Sequence, residues 1–519
     1  MLDLKITNGR ILDGSGAPWF RADIGVRGDA IVATGDLSAT PATTTIDAGN
    51  RIVSPGFVDL LSWAQTTVIG DPHLEAHVRQ GITTAIAGEG HSPAPRRPDA
   101  VTKDAPWVTL GDYLDALDAQ GATINFALLL GASNPREMVL GNENKRPTVE
   151  EMQQMEAIVD QAMRDGAIGI STSLIYVPAM YSTTDELVAL SKVAAEYGGM
   201  YFSHIRDEGD RIDAALDEAF EIGRRAGIPV NVWHLKIGGR PNWGKMPAII
   251  ARIAAEREKG LDVAANVYPY AASGTALSTL APDWAMEGGY DDFLRRLAVP
   301  DDRARIMTEF RRQIERRGDR GIYVAQIFTD SQKQYEKKYL PEIAAEMALP
   351  QDEALVALFA AHAISPRVIY FSMSEDDVRT ALQTPWVSVG SDASAPGAAL
   401  RAANTSVHPR AYGTFPRVLG HYSRDEKLFP LAEAVRKITS QAALRAHIFD
   451  RGLLRAGMKA DIVIFDPEQV KDFSTFDDPH HFSTGIDDVI VNGIPVLRHG
   501  HLTGALPGRT VRGRGYVPN

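Results

Sequence analysis

Asn125-Phe126-Ala127-Leu128-Leu129-Leu130-Gly131 carries five consecutive apolar residues, 126 to 130, with no polar alternation. A strand with one wet face alternates in hydropathy, so an unbroken apolar run of this length marks a strand of a parallel sheet covered on both faces. Similar runs flank it: Gly56 to Leu61, Thr83 to Gly88, Ala167 to Thr172, Met200 to His204, Pro229 to His234, Asp262 to Tyr268, Val368 to Met373 and Val387 to Ser391. Most are about 30 to 40 residues apart, the length of a βα unit. Nine candidates compete for the eight places of a (β/α)8 barrel, and the surplus one is open at this level. The interval from Ser273 to about Glu346 holds helical stretches and charge runs but few such strands, as a lid-type insertion at 273–346 would. Shorter β-like segments punctuated by Gly and Asp fill both ends of the chain, Leu4 to Ile6 and Ala22 to Val26 at one, Ala460 to Phe465 and Asp487 to Val491 at the other.

Composition narrows the function classes. The 519 residues include 54 Lys+Arg against 66 Asp+Glu, a net charge of −12, which argues against nucleic acid or an anionic membrane surface as a partner. Cysteine is absent, so disulfides, thiolate nucleophiles and zinc-thiolate sites are excluded. No apolar run approaches the roughly 18 to 20 residues of a membrane span, and Met1-Leu2-Asp3-Leu4-Lys5-Ile6 enters strand-like alternation at once. The expected compartment is the cytoplasm.

Chemistry in a parallel barrel gathers at the C-terminal ends of the strands. Four titratable residues stand there: Glu89 after Ala85-Ile86-Ala87-Gly88, His204 after Tyr201-Phe202-Ser203, His234 after Val230-Asn231-Val232-Trp233, and Asp392 after Val389-Gly390-Ser391. A lone His at a strand end is usually a structural histidine. Two of them with two carboxylates, in a chain holding 13 His, form a sharper pattern. Two imidazoles and one carboxylate are a common catalytic zinc set with a position left for water, and the other carboxylate can serve as general base.

Ordered motifs extend this reading over nearly the whole chain. They include Asn8-Gly9-Arg10-Ile11-Leu12-Asp13-Gly14, Pro55-Gly56-Phe57-Val58-Asp59, Gln80-Gly81-Ile82-Thr83-Thr84 and Gly166-Ala167-Ile168-Gly169-Ile170-Ser171-Thr172. Ser203-His204-Ile205-Arg206-Asp207-Glu208-Gly209, Tyr268-Pro269-Tyr270, Gly390-Ser391-Asp392, His408-Pro409-Arg410-Ala411-Tyr412-Gly413-Thr414 and Lys459-Ala460-Asp461-Ile462-Val463 follow. In this order they resemble the amidohydrolase superfamily and, within it, the D-aminoacylase (N-acyl-D-amino-acid deacylase) family. The resemblance implies a (β/α)8 barrel over 56–450, beside a small β-sandwich built from 1–55 and 451–519. It also implies that His204 and His234 bind metal and that Asp392 is catalytic. Glu89 stands in the loop where typical D-aminoacylases place a metal-bridging Cys; some relatives carry Gly-Glu-Gly there, as Gly88-Glu89-Gly90 does here. Lys236, Tyr268 and Arg410 match positions that hold the substrate carboxylate. Their bland alternatives are a solvated Lys, a buried aromatic and a structural Arg after Pro.

The pattern breaks at the first strand, where the superfamily normally ends in His-x-His. Leu61 and Trp63 occupy those places, and neither can bind a metal. Ala132 likewise stands where relatives usually have His. The expectation is therefore one tightly bound Zn2+ per chain rather than two. His73 and His77, four apart, would share one solvated helical face, and His91 could supplement the site. The expected protein is a metal-dependent hydrolase of C–N bonds other than peptide bonds, cleaving an N-acyl amino acid or dipeptide. Its partner is a small molecule with a free carboxylate, with neither nucleic acid nor membrane, and a homo-oligomer is left open. Two alternatives stand beside this: a metal-depleted binding protein, and a hydrolase of a lactone or carbamate on the same fold.

Overall fold

The computed structural model describes residues 1–518. Eight of the nine apolar runs form strands that pair only in parallel: β1 (Phe57–Ser62), β2 (Ile82–Ala87), β3 (Asn125–Leu128, resumed at Leu130–Gly131), β4 (Gly169–Ser173), β5 (Met200–His204), β6 (Val230–Val232), β7 (Val263–Val267) and β8 (Val387–Val389). Neighbours follow chain order from β1 to β8. Every residue of these strands is buried, so the missing alternation reports coverage on both faces. The end of the eighth strand then meets the first. Asp392 N donates to Leu61 O at 2.8 Å and Trp63 N to Ala393 O at 2.9 Å.

Amphipathic helices link the strands. Val149–Asp165 starts at Thr148, whose side chain accepts from Glu151 N while Glu151 caps the Thr148 amide in return. Met155, Val159, Ala162 and Met163 form its buried stripe, and Gly166 ends it at φ +112°. No helix among the described residues is long and apolar enough to cross a membrane.

The two chain ends share one nine-stranded sheet, joined where Ile52–Pro55 runs antiparallel to Ile462–Phe465. Its core unites Leu4, Ile6, Ile24 and Val53 with Leu454, Ile462 and Ile490.

The ninth run settles the strand count. Arg367–Tyr370 pairs antiparallel with both Ser273–Ala276 and Ile322–Gln326, in a separate four-stranded sheet. This sheet has its own core, with Leu277, Phe293, Phe310, Ile343, Phe359 and Tyr370 in it. The inserted unit therefore runs on to Tyr370, beyond the 346 expected from sequence. The strand that completes its sheet looks like any other buried strand until its partners are known.

Asp59 in β1 stitches the seam to β8. Its Oδ1 accepts from Leu61 N (3.3 Å) and Ser391 N (2.7 Å), and its Oδ2 from the Ser391 hydroxyl (2.5 Å). Burial pushes its pKa up to about 7 against the pull of the Ser391 hydrogen bonds. His77 packs beside it, 3.8 Å from Oδ2, with Nε2 3.0 Å from Ser62 Oγ. This corrects the expectation of a solvated His73/His77 face. The helix begins only at Glu75, His73 is exposed before it, and His77 is fully buried, its pKa lowered to about 3 by burial. Replacing Asp59 by Ala leaves buried donors without an acceptor, at about 1–3 kcal/mol each. Asp59→Ala is expected to lower the thermal unfolding midpoint by several degrees, and an unchanged midpoint in calorimetry would show that the seam does not depend on this carboxylate.

Candidate metal centre

Glu89 leaves β2 through a turn that only glycines permit. Gly88 sits at φ +99° and Gly90 at φ +62°. A Cβ on Gly88 would lie 2.3 Å from Leu129 O, and one on Gly90 2.4 Å from Ser173 Oγ. The turn folds the Glu89 carboxyl back over the strand ends, where it is 4% exposed. His204 is the last residue of β5, and His234 lies two residues past β6. His234 and Asp392 both have positive φ, +35° and +49°. Non-glycine residues are rarely held there, and such strain clusters at functional sites.

The three side chains converge. Glu89 Oε1 lies 3.1 Å from His204 Nδ1 and 3.0 Å from His234 Nε2, with the two rings edge to face at 4.4 Å. Their donor atoms all fall within 4.8 Å of one another, and this is the one such group among the described residues. Burial would raise the Glu89 pKa, but the two imidazoles outweigh it and hold the carboxyl well below its usual range. Burial and the Lys236 ammonium oppose a charge on His234, yet Glu208 and Glu89 outweigh them and hold its pKa up at about 9. The field that draws a proton onto His234 suits a metal cation equally. One carboxylate oxygen and two imidazole nitrogens leave a coordination position open, the arrangement of catalytic zinc sites.

Glu208 was not singled out from sequence. Its Oε1 lies 2.5 Å from Lys236 Nζ and 3.1 Å from His234 Nδ1, and its Oε2 3.4 Å from His204 Nε2. It lies beside the far nitrogen of both histidines, closest to His234, the place from which a carboxylate orients metal-binding imidazoles. Its position four residues after His204 was the available signal. Lys236 also lies 2.8 Å from His234 Nδ1, so it is bound into this network and is not solvated.

Asp392 lines the same cavity, of about 1560 Å³, as the cluster. Its Oδ1 accepts from Trp63 Nε1 at 3.1 Å, and its Oδ2 lies 2.6 Å from Arg410. The Arg410 guanidinium stacks 4.6 Å from the Tyr268 ring centre, and its Nε has no partner. His408 steadies the Arg410 backbone, accepting from its N–H at Nδ1 while Nε2 donates to Ala272 O. The structure thus brings Glu89, His204, His234, Lys236, Tyr268, Asp392 and Arg410 to one cavity. His91 also lines the cavity but stands outside the three-donor group, its ring 57% exposed and 3.8 Å from Glu137. Leu61 and Ala132 are buried and offer no donor atom.

A buried carboxylate–imidazole cluster at the ends of parallel strands, with an aspartate in the same cavity, is a donor set that could hold a metal ion. Residues 44–497 match the amidohydrolase family. The chain is 35% identical to the D-aminoacylase of Alcaligenes xylosoxydans xylosoxydans, over 98% of its own length and 97% of the relative's. It is 36% identical to the N-acyl-D-glutamate deacylase of the same organism, over 96% and 94%. The crystal structure of N-acyl-D-glutamate deacylase from Bordetella bronchiseptica, complexed with zinc and a phosphonate mimic of the tetrahedral intermediate, superposes with a TM-score of 0.84 at 35% identity, covering 99% of this chain and all of that one. The chain belongs to the amidohydrolase family, in its D-aminoacylase branch.

Loss of a carboxylate that orients metal-bound histidines typically costs 10- to 100-fold in metal affinity. Glu208→Ala is expected to weaken zinc binding by about that factor, read by chelator competition.

Proposed function

We propose that this chain hydrolyses N-acyl-D-amino acids, releasing the amino acid and a carboxylic acid, with one zinc per chain. The observation that carries the reading is a guanidinium with unused donors in the same cavity as the three-donor cluster. Glu89, His204 and His234 would hold the zinc. Bound there, zinc polarises a carbonyl oxygen and lowers the pKa of a water toward about 7. Leu61, Trp63 and Ala132 offer nothing to a second ion, which supports the single-metal reading.

Arg410 supplies a planar fork for the substrate carboxylate, backed by the Tyr268 ring. Lys236, held by Glu208, adds positive charge to the same cavity. Asp392 takes the proton from the attacking water and delivers it to the amide nitrogen as the C–N bond breaks. Water and amide thus become acid and amine with no proton left over. The acidic net charge of −12 supports a small-molecule partner over nucleic acid.

The proposal extends to architecture: the eight parallel strands are read as a (β/α)8 barrel within 56–450, and segments 1–55 and 451–519 as a small β-sandwich. The unit that begins near Ser273 is read as a lid, since it contributes Ser278, Trp284 and Tyr370 to the cavity wall.

Amine release from paired N-acyl-D- and N-acyl-L-amino acids tests the activity directly; turnover of the D series with one zinc by elemental analysis is the expected result. Asp392→Asn is expected to abolish turnover while keeping the zinc, whereas loss of the metal in that variant would place Asp392 among the ligands. Arg410→Lys keeps the charge but loses the fork. It is expected to cost about ten- to hundredfold in kcat/KM on the free acid and much less on the same substrate amidated. Equal losses on both would make Arg410 structural.

A further inference from the structure

We infer that Trp63 is a positioning residue for Asp392, its indole N–H fixing the carboxylate; this rests on the reading of Asp392 as the proton carrier. Trp63 stands where the first strand of this family is expected to supply a metal-binding histidine. Indole N–H is a donor only, so it can hold an anion but neither binds a metal nor takes a proton. It lies 3.1 Å from Asp392 Oδ1, while Oδ2 is engaged at 2.6 Å by Arg410. Oδ1 therefore has its own hydrogen-bond donor and Oδ2 an ion-pair partner, which together restrain the group.

The backbone makes the pairing rigid from both sides. Trp63 N donates to Ala393 O and Asp392 N to Leu61 O, so the two residues sit across one seam in fixed register. Asp392 is at φ +49°, an unfavourable conformation that this seam maintains. The Trp63 ring is only partly buried and belongs to none of the apolar core clusters among the described residues. It stands instead as a wall between the main cavity and a neighbouring one of about 350 Å³ lined by Trp107 and Tyr113. A large ring outside the core, with its single polar atom on Asp392, is placed for orientation more than for packing.

Trp63→Phe keeps a flat ring and deletes the donor. With the zinc-loaded enzyme and an N-acyl-D-amino acid that the wild type turns over, kcat is expected to fall about tenfold with KM within about twofold, zinc content and thermal midpoint being unchanged. Should the Phe variant misfold, 3-benzothienylalanine at position 63 removes the N–H at nearly constant shape, and the same kcat loss is expected. An unchanged kcat, or a loss confined to KM, in a folded and zinc-loaded variant would overturn the inference. Asp392→Asn measured alongside separates the two readings. If it retains turnover, the proton-carrier role fails; if it is inactive while the position-63 variants run at full kcat, only the role of Trp63 fails.

Discussion

Two backbone hydrogen bonds, Asp392 N to Leu61 O and Trp63 N to Ala393 O, tie the last parallel strand to the first across some 330 residues of chain. The seam places Asp392 in the cavity that Glu89 also lines and brings the Trp63 indole onto its carboxylate. Asp59 reinforces it from within by gathering Leu61 and Ser391 on one buried carboxyl. The strain at Asp392 is tolerable because these contacts over-determine its backbone. A site that depends on such a seam forms only when the sheet does.

Charge is the second constraint. Two carboxylates, two imidazoles and an ammonium lie within one buried network around Glu89 and Glu208. Removing charges from water is expensive, and only mutual compensation makes it tolerable. Here the compensation is uneven in a useful way. Glu89 joins one nitrogen of each histidine, and Glu208 lies near the other, 3.1 Å from His234 Nδ1 and 3.4 Å from His204 Nε2. Rings restrained in this way present fixed donor atoms, as a metal site requires.

The inserted unit meets this centre without sharing its core. Its sheet and helices pack around Phe293, Phe310 and Phe359, while its edge lines the cavity. Separate cores leave the parallel strands and the insertion to line one cavity from two independently packed units. Arg410 shows how closely the two units meet: it pairs with Asp392, stacks on Tyr268 and reaches Gly274 O at the start of the insertion.

Sequence alone determined the runs that become parallel strands, because burial on both faces erases alternation whatever the partners are. It also determined that Glu89, His204, His234 and Asp392 stand at strand ends, since position along a strand is a local property. The glycines around Glu89 were visible for the same reason. Tertiary structure alone decided that Val368–Met373 is the surplus run, because an apolar strand does not name the sheet it joins. It decided that His77 is buried against Asp59, that Glu208 joins Lys236 and His234, and that Trp63 donates to Asp392. Each of these pairs residues by direction and register across the fold, and side-chain direction between distant segments is set only when the backbone closes around them.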